Sequence, residues 1–262
     1  MTTRPHYTIE TRAGQCVEHG QYPNALVEQF GTDPAWYGCS RCQFDRRHAA
    51  DPIVRAGGAI EHANRQLNAQ LLDSGIQLRF QQSTLDNWVA GNDKAKAKAW
   101  NVATGFVEAF AENFEVGRCV MLLGKPGTGK THLATAILQQ TIRYFGAQGM
   151  TGLYTTAGGI IRAVKATFGA QGKTEASVYA DMIAPHLLVI DEVGLQNGTD
   201  FERQTLFEVI NGRYEQAKPT IVVSNLAIPQ LRDALGDRSV DRLRDRGGLV
   251  EVFGWESARG AA

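Results

Sequence analysis

Cys119-Val-Met-Leu-Leu-Gly124-Lys125-Pro126-Gly127-Thr128-Gly129-Lys130-Thr131-His132 decides the fold, because an apolar strand-like run turns there through glycines into helix-forming residues. Residues 124–131 fit the pattern G-x-x-x-x-G-K-[ST]. That pattern is informative when a strand enters it and a helix leaves it, and both are predicted. Gly127 and Gly129 permit backbone conformations that let successive N–H groups converge on phosphate oxygens. A helix starting at Lys130 adds the positive end of its dipole. The Lys130 ammonium is then in reach of β- and γ-phosphates. The Thr131 hydroxyl is placed to ligate magnesium, an ion that keeps several waters and takes few protein ligands. The expected ligand is a nucleotide with its magnesium, held by residues 124–132.

About sixty residues further on, His186-Leu-Leu-Val-Ile-Asp191-Glu192 delivers two adjacent carboxylates at the end of an apolar run. Asp191 is expected to hold magnesium through water, and Glu192 to polarise the attacking water. The plain alternative is a solvated strand end. Asp191-Glu-Val-Gly194 also satisfies the D-x-x-G string of GTPases, but no N-K-x-D follows to read a guanine edge. The matching apolar run instead ends in Ser224-Asn225. Asn225 either orients the attacking water or merely ends a strand.

Working outward, the segments 119–124, 152–156, 186–192, 220–225 and 249–253 are short and rich in β-branched residues, as buried parallel strands are. Helical stretches separate them at Lys130–Phe145, Gly158–Phe168 and Thr199–Gln216. In the last, Thr199 and Glu202 offer a capping box. Such βαβ repetition predicts an α/β fold, a doubly wound parallel sheet flanked by helices, with ligands at the carboxyl ends of the strands. At 262 residues the chain has room for one main domain plus an appendage. Its composition, 43% hydrophobic and 21% charged, is that of a soluble globular protein. No run approaches a membrane span, and MTTRPHYTIE lacks the apolar stretch of a secretory signal, so a cytoplasmic location and no membrane partner are expected. Net charge is zero, which leaves any grip on nucleic acid to a local patch. Lys94, Lys96 and Lys98 beside Trp100 come nearest to one, and a solvated helix face is the better explanation of them.

Residues 1–50 are rich in Cys, His, Gly, Pro and aromatics. Cys16-Val-Glu-His19 and Cys39-Ser-Arg-Cys42 form two C-x-x-[CH] knuckles, separated by the nineteen residues 20–38. Three thiolates and an imidazole suit four-coordinate structural zinc. His6 and His48 are the spare ligands should His19 not serve. Residues 51–75 read as a helical linker, with Ile60, Ala63, Leu67 and Leu71 at helical spacing.

Five segments together resemble the DnaC and IstB family of AAA+ ATPases, and within it the bacterial and phage replicative helicase loaders. They are Ser74-Gly-Ile, Gly124 to Ala134, Leu187 to Gln196, Asp237-Arg-Ser-Val-Asp-Arg-Leu243 and Phe253-Gly-Trp-Glu-Ser-Ala-Arg259, spanning about 70% of the chain. The resemblance implies an AAA+ domain over residues 76–262 without a large lid, preceded by the zinc-ribbon-like module and linker helix. It implies that Asn225 is the sensor-1 residue and that Arg259 is the sensor-2 arginine. Either Arg242 or Arg238 is the finger that enters a neighbouring subunit's site. It further implies ATP or ADP as ligand, a hexameric replicative helicase and single-stranded DNA as partners, and self-association templated by the helicase. Residues 1–75 are the expected helicase-binding part. Two alternatives are an IstB-like transposition ATPase that binds duplex DNA and a transposase, and a nucleotide-gated adaptor with negligible turnover.

Overall fold

The computed structural model describes residues 6–29, 33–43, 52–169, 172–196 and 198–258. The chain divides into two compact units, residues 1–64 and 65–262. In the first, strands β1 (His6–Cys16) and β2 (Gly20–Gln29) form an antiparallel hairpin, and β3 (Ala35–Trp36) pairs with β2. Helix α1 (Pro52–Asp73) runs across the unit boundary.

In the second unit the end of α1 and a 3-10 turn at Leu78–Phe80 are followed by α2 (Lys94–Glu108) and α3 (Phe110–Val116), which the periodicity did not announce. Asp93 caps α2 by accepting from Ala95 N–H at 2.8 Å and Lys96 N–H at 3.2 Å, offsetting two of the donors a helix start leaves unpaired. There follow β4 (Val120–Gly124), α4 (Lys130–Phe145), β5 (Gly152–Thr156), α5 (Ala157–Lys165), α6 (Glu175–Ile183), β6 (Leu187–Val193), α7 (Asp200–Glu215), β7 (Thr220–Ser224), α8 (Ile228–Leu235), α9 (Asp237–Arg244) and β8 (Leu249–Phe253). The predicted capping box is present at the start of α7, with Thr199 and Glu202 exchanging side chain to backbone bonds at 3.2 and 3.3 Å.

The five strands β4 to β8 make one parallel sheet in the order β5-β6-β7-β4-β8. Period-two alternation divides its side chains between two cores. Val120, Leu122, Val189 and Ile221 face α2 and α4, whereas Met121, Leu123, Ile190 and Val222 face α5, α7, α8 and α9. Both faces are therefore covered, which is why these strands read as continuous apolar runs. Neither neighbour of β4 is adjacent to it in sequence, and in doubly wound sheets a crevice opens at such a carboxyl end.

Arg213, on α7, is fully buried. It donates to Thr220 Oγ1 at 2.9 Å, Pro219 O at 2.6 Å and Pro185 O at 2.8 Å, and so fixes the entries to β6 and β7 together.

Candidate nucleotide and metal sites

A cavity of about 390 Å³, a volume usual for a small-molecule site, opens at the carboxyl ends of β4, β6 and β7. It is lined by the glycine loop and by Lys130, Thr131, Asp191, Glu192 and Asn225. The residues singled out as a phosphate loop, an acidic pair and a strand-terminal asparagine thus meet at one place. Gly127 and Gly129 have φ of +75° and +96°, the region where other residues are strained. Lys130 is buried, and its ammonium donates to Gly124 O at 2.7 Å and Lys125 O at 2.6 Å, which holds it at the mouth of the loop.

The loop is braced from outside by Trp255, Glu256 and Ala258, in a segment that the sequence marked only through its family resemblance and its terminal arginine. Trp255 Nε1 donates to Thr128 O at 3.0 Å, Ala258 N–H to Gly127 O at 2.9 Å, and Lys125 pairs with Glu256 at 2.8 Å. With the carbonyls of Gly127 and Thr128 engaged outward, the loop keeps N–H groups available on its inner side. Trp88 packs edge-on against both His132 and Trp255, with ring centroids 5.6 and 6.3 Å apart.

Asp191 is 4% exposed. Its Oδ1 accepts the Glu192 N–H at 2.7 Å and its Oδ2 accepts the Tyr154 hydroxyl at 2.8 Å. Burial, reinforced by the Asp191 charge, pushes the Tyr154 phenol up, so it stays a donor. The β6–β7 register slips between Ile190 and Val193, so one extra residue is accommodated there. Glu192 takes the strain of that bulge with φ of +57° and is turned out into the cleft. Bulges often re-aim side chains beside active sites, and this one separates the roles of two adjacent acids. A hydroxyl and a buried carboxylate facing a phosphate-sized cradle suit a magnesium ion with several waters.

Arg238 and Arg242 do not line this cavity. Arg238 is exposed on α9, and Arg242 lines a separate hollow with Tyr214, Asp241, Arg244 and Asp245. Arg259 lies outside the described residues. Lys98 is committed to the buried Glu251 at 2.9 Å rather than to an open basic face.

In the first unit, Cys16, His19, Cys39 and Cys42 converge, with all ligand atoms within 4.8 Å of one another. Cys16 and His19 flank the β1–β2 turn. The second knuckle is tied to β2 by Tyr37 N–H on Ala25 O at 2.7 Å and Gly38 N–H on Asn24 Oδ1 at 2.8 Å. Contacts of 3.5 Å for Cys16–Cys42, 3.7 Å for Cys39–His19 and 3.3 Å for Cys42–His19 are near the edges of a zinc tetrahedron, about 3.5–3.8 Å for zinc–sulfur bonds of about 2.3 Å. Backbone N–H groups of Glu18 and then His19 hold the Cys16 thiol down to about 6. Cys42 is pushed up to about 12, first by its hydrogen bond with Cys16. Cys16 and Cys42 therefore do not readily ionise together until a dication offsets their charge. The side chain of His6 and all of His48 lie outside the described residues. The expected result is about one zinc per chain, lost in a Cys39→Ser variant that still binds nucleotide. Metal analysis alongside nucleotide titration checks it, and full zinc retention by the variant would remove Cys39 from the site.

Residues 93–259 match the family of IstB-like ATP-binding proteins. The replicative helicase loader DnaC of Escherichia coli (strain K12) is 31% identical over 203 residues, 77% of this chain and 80% of that protein. The DnaC of Buchnera aphidicola subsp. Acyrthosiphon pisum is 29% identical over 214 residues, 81% of this chain and 82% of that protein. Among solved structures, the crystal structure of the DnaC helicase loader is similar with a TM-score of 0.59 at 25% identity, covering 68% of this chain and 99% of that one. The DnaI crystal structure shares the fold with a TM-score of 0.58 at 20% identity, covering 72% of this chain and 99% of that one.

Proposed function

The chain belongs to the family of IstB-like ATP-binding proteins, and from that premise we propose that it is a magnesium-dependent ATPase that loads a hexameric replicative helicase onto single-stranded DNA. The observation that carries this reading is the single cleft that gathers Lys130, Thr131, Asp191, Glu192 and Asn225. Lys130 binds the β- and γ-phosphates, and Thr131 and Asp191 hold magnesium directly and through water. The ion, when bound, offsets charge on the phosphate oxygens. Glu192 polarises the attacking water and Asn225 orients it. Arg242 or Arg238 enters from the next subunit, and Arg259 contacts the γ-phosphate within its own, so turnover reports assembly.

In this reading residues 1–50 are the zinc module, 51–75 the linker and 76–262 the ATPase domain, with 1–75 gripping the helicase. The names carried by the DnaC relatives support helicase loading. Contact with single-stranded DNA is supported by Phe168, which is 60% exposed and stands edge-on to Phe201 at 5.6 Å, with Lys165 5.6 Å from the Phe201 ring. Exposed aromatic and basic groups together are what sequence-tolerant binding of unpaired bases uses. The Lys165 ammonium also lies 3.8 Å from the buried Glu202, as Lys98 lies beside Glu251, so the exposed Phe168 ring is what this group adds to the lysines of α2.

Among the described residues no helix is long and apolar enough to cross a membrane. The test is affinity capture by the full-length chain in extract of its source cell, with and without magnesium-ATP. Capture of the hexameric helicase is expected. Capture of a transposase instead would favour the second reading, to which the family's name points.

A further inference from the structure

Asp191 sits on β6, and β5 beside it places Thr156 in register with Asp191 and Tyr154 in register with Val189. Two residues along a strand return to the same face about 6.6 Å further on, a span that a tyrosine side chain bridges and shorter side chains do not. Tyr154 is 5% exposed, and its hydroxyl ends 2.8 Å from Asp191 Oδ2 at the wall of the cleft. Its backbone is fixed as well: β5 is the sheet's edge strand, and the Tyr154 N–H there donates to Ser74 O at 2.7 Å.

We propose that Tyr154 is a positioning residue for magnesium, holding the Asp191 carboxylate in the orientation and hydrogen-bonded state in which it takes a water of the ion's shell. This inference rests on the nucleotide-site reading above and assigns a role to a residue outside the phosphate loop and the acidic pair. The Glu192 N–H occupies Oδ1 and the Tyr154 hydroxyl occupies Oδ2, so both oxygens of the buried acid are directed by donors on the protein. Each oxygen keeps a further lone pair, so the carboxylate held in this orientation can still accept from a water of the ion's shell. Without the phenol, Oδ2 loses a donor in a buried site and the carboxylate is free to turn about its Cβ–Cγ bond. The ring itself packs in the apolar core, so its removal and the removal of its hydroxyl are separable.

The experiment is a magnesium titration of nucleotide binding with a fluorescent, non-hydrolysable ATP analogue on full-length protein. Tyr154→Phe is expected to raise the magnesium concentration at half-saturation about tenfold, the scale of one hydrogen bond to a charged group. Affinity for the analogue in EDTA should be unchanged, whereas the affinity reached at saturating magnesium should fall by the same factor, as the closed binding cycle requires. Tyr154→Leu, which also lacks the hydroxyl, must give the same rise, which guards against a change special to one side chain. Magnesium curves for Tyr154→Phe that superimpose on the parent's, while Asp191→Asn shifts them, would overturn the positioning role. Loss of analogue affinity in EDTA would do so too, because it indicates a general structural effect. If Asp191→Asn itself left the curves unmoved, the underlying assignment of Asp191 would fail instead.

Discussion

A Lys130→Ala chain is expected to lose affinity for magnesium-ATP by about a hundredfold or more, since each charge-assisted contact to a phosphate is worth roughly 1.5–3 kcal/mol. The ammonium is held within 2.7 Å of the loop carbonyls Gly124 O and Lys125 O, so it is positioned before nucleotide arrives. Stability should change little. Lys130 itself lines the cleft, so water filling the place of the truncated side chain can replace the lost donor. The control that gives the result meaning is Glu192→Gln. Glu192 is exposed and turned outward by the β6 bulge, so an isosteric amide there should leave affinity intact while turnover falls about 10²–10⁴-fold. Fluorescent-nucleotide titration and phosphate-release measurements, read together, separate the two. Parent-like affinity in Lys130→Ala would remove the basis for the nucleotide site.

The parts of this site that were legible in the sequence are those that lie close along the chain. The glycine loop, the Asp191–Glu192 pair and the two cysteine knuckles are strings a few residues long, whose chemistry and spacing mark them as candidates. The strands were legible because burial on both faces demands unbroken apolar runs. What could not be read depends on how strands pair. The bulge that turns Glu192 outward exists only in the β6–β7 register, and the Tyr154–Asp191 bond only in the register of β5 on β6. Trp88 and Trp255 bracket the loop from positions far before and after it, with no periodicity to mark them. Nothing in the sequence around Arg213 marks it, whereas its bonds to Pro185 O and Pro219 O make it a buried staple. Helix α2 carried one local cue, the capping Asp93, but its alternating Lys-Ala pattern hid its apolar face.

Arg242→Ala is expected to lower partner-stimulated hydrolysis about 10³-fold or more while leaving nucleotide affinity unchanged. The reason lies in its position. The guanidinium carbon stands 4.8 Å from the Phe207 ring and 5.5 Å from the Tyr214 ring, away from its own chain's phosphate cleft. Its Nη1 is buried without a hydrogen-bond partner among the described residues, which leaves this guanidinium uncommitted to any acid of its own chain at that nitrogen. Arg238, one turn earlier and exposed, is the competing candidate, so the same measurement on Arg238→Ala decides between them. Mixing then tests whether the arginine acts on a neighbour. Lys130→Ala subunits keep the finger and lack the phosphate lysine, while Arg242→Ala subunits have the reverse defect. In a head-to-tail assembly formed from equal amounts, about one interface in four joins an intact phosphate loop to an intact finger. The mixture should therefore recover about a quarter of the parent rate, although each variant alone is nearly inactive. A mixture no faster than the sum of its parts would place the arginine's action within its own chain or outside the reaction.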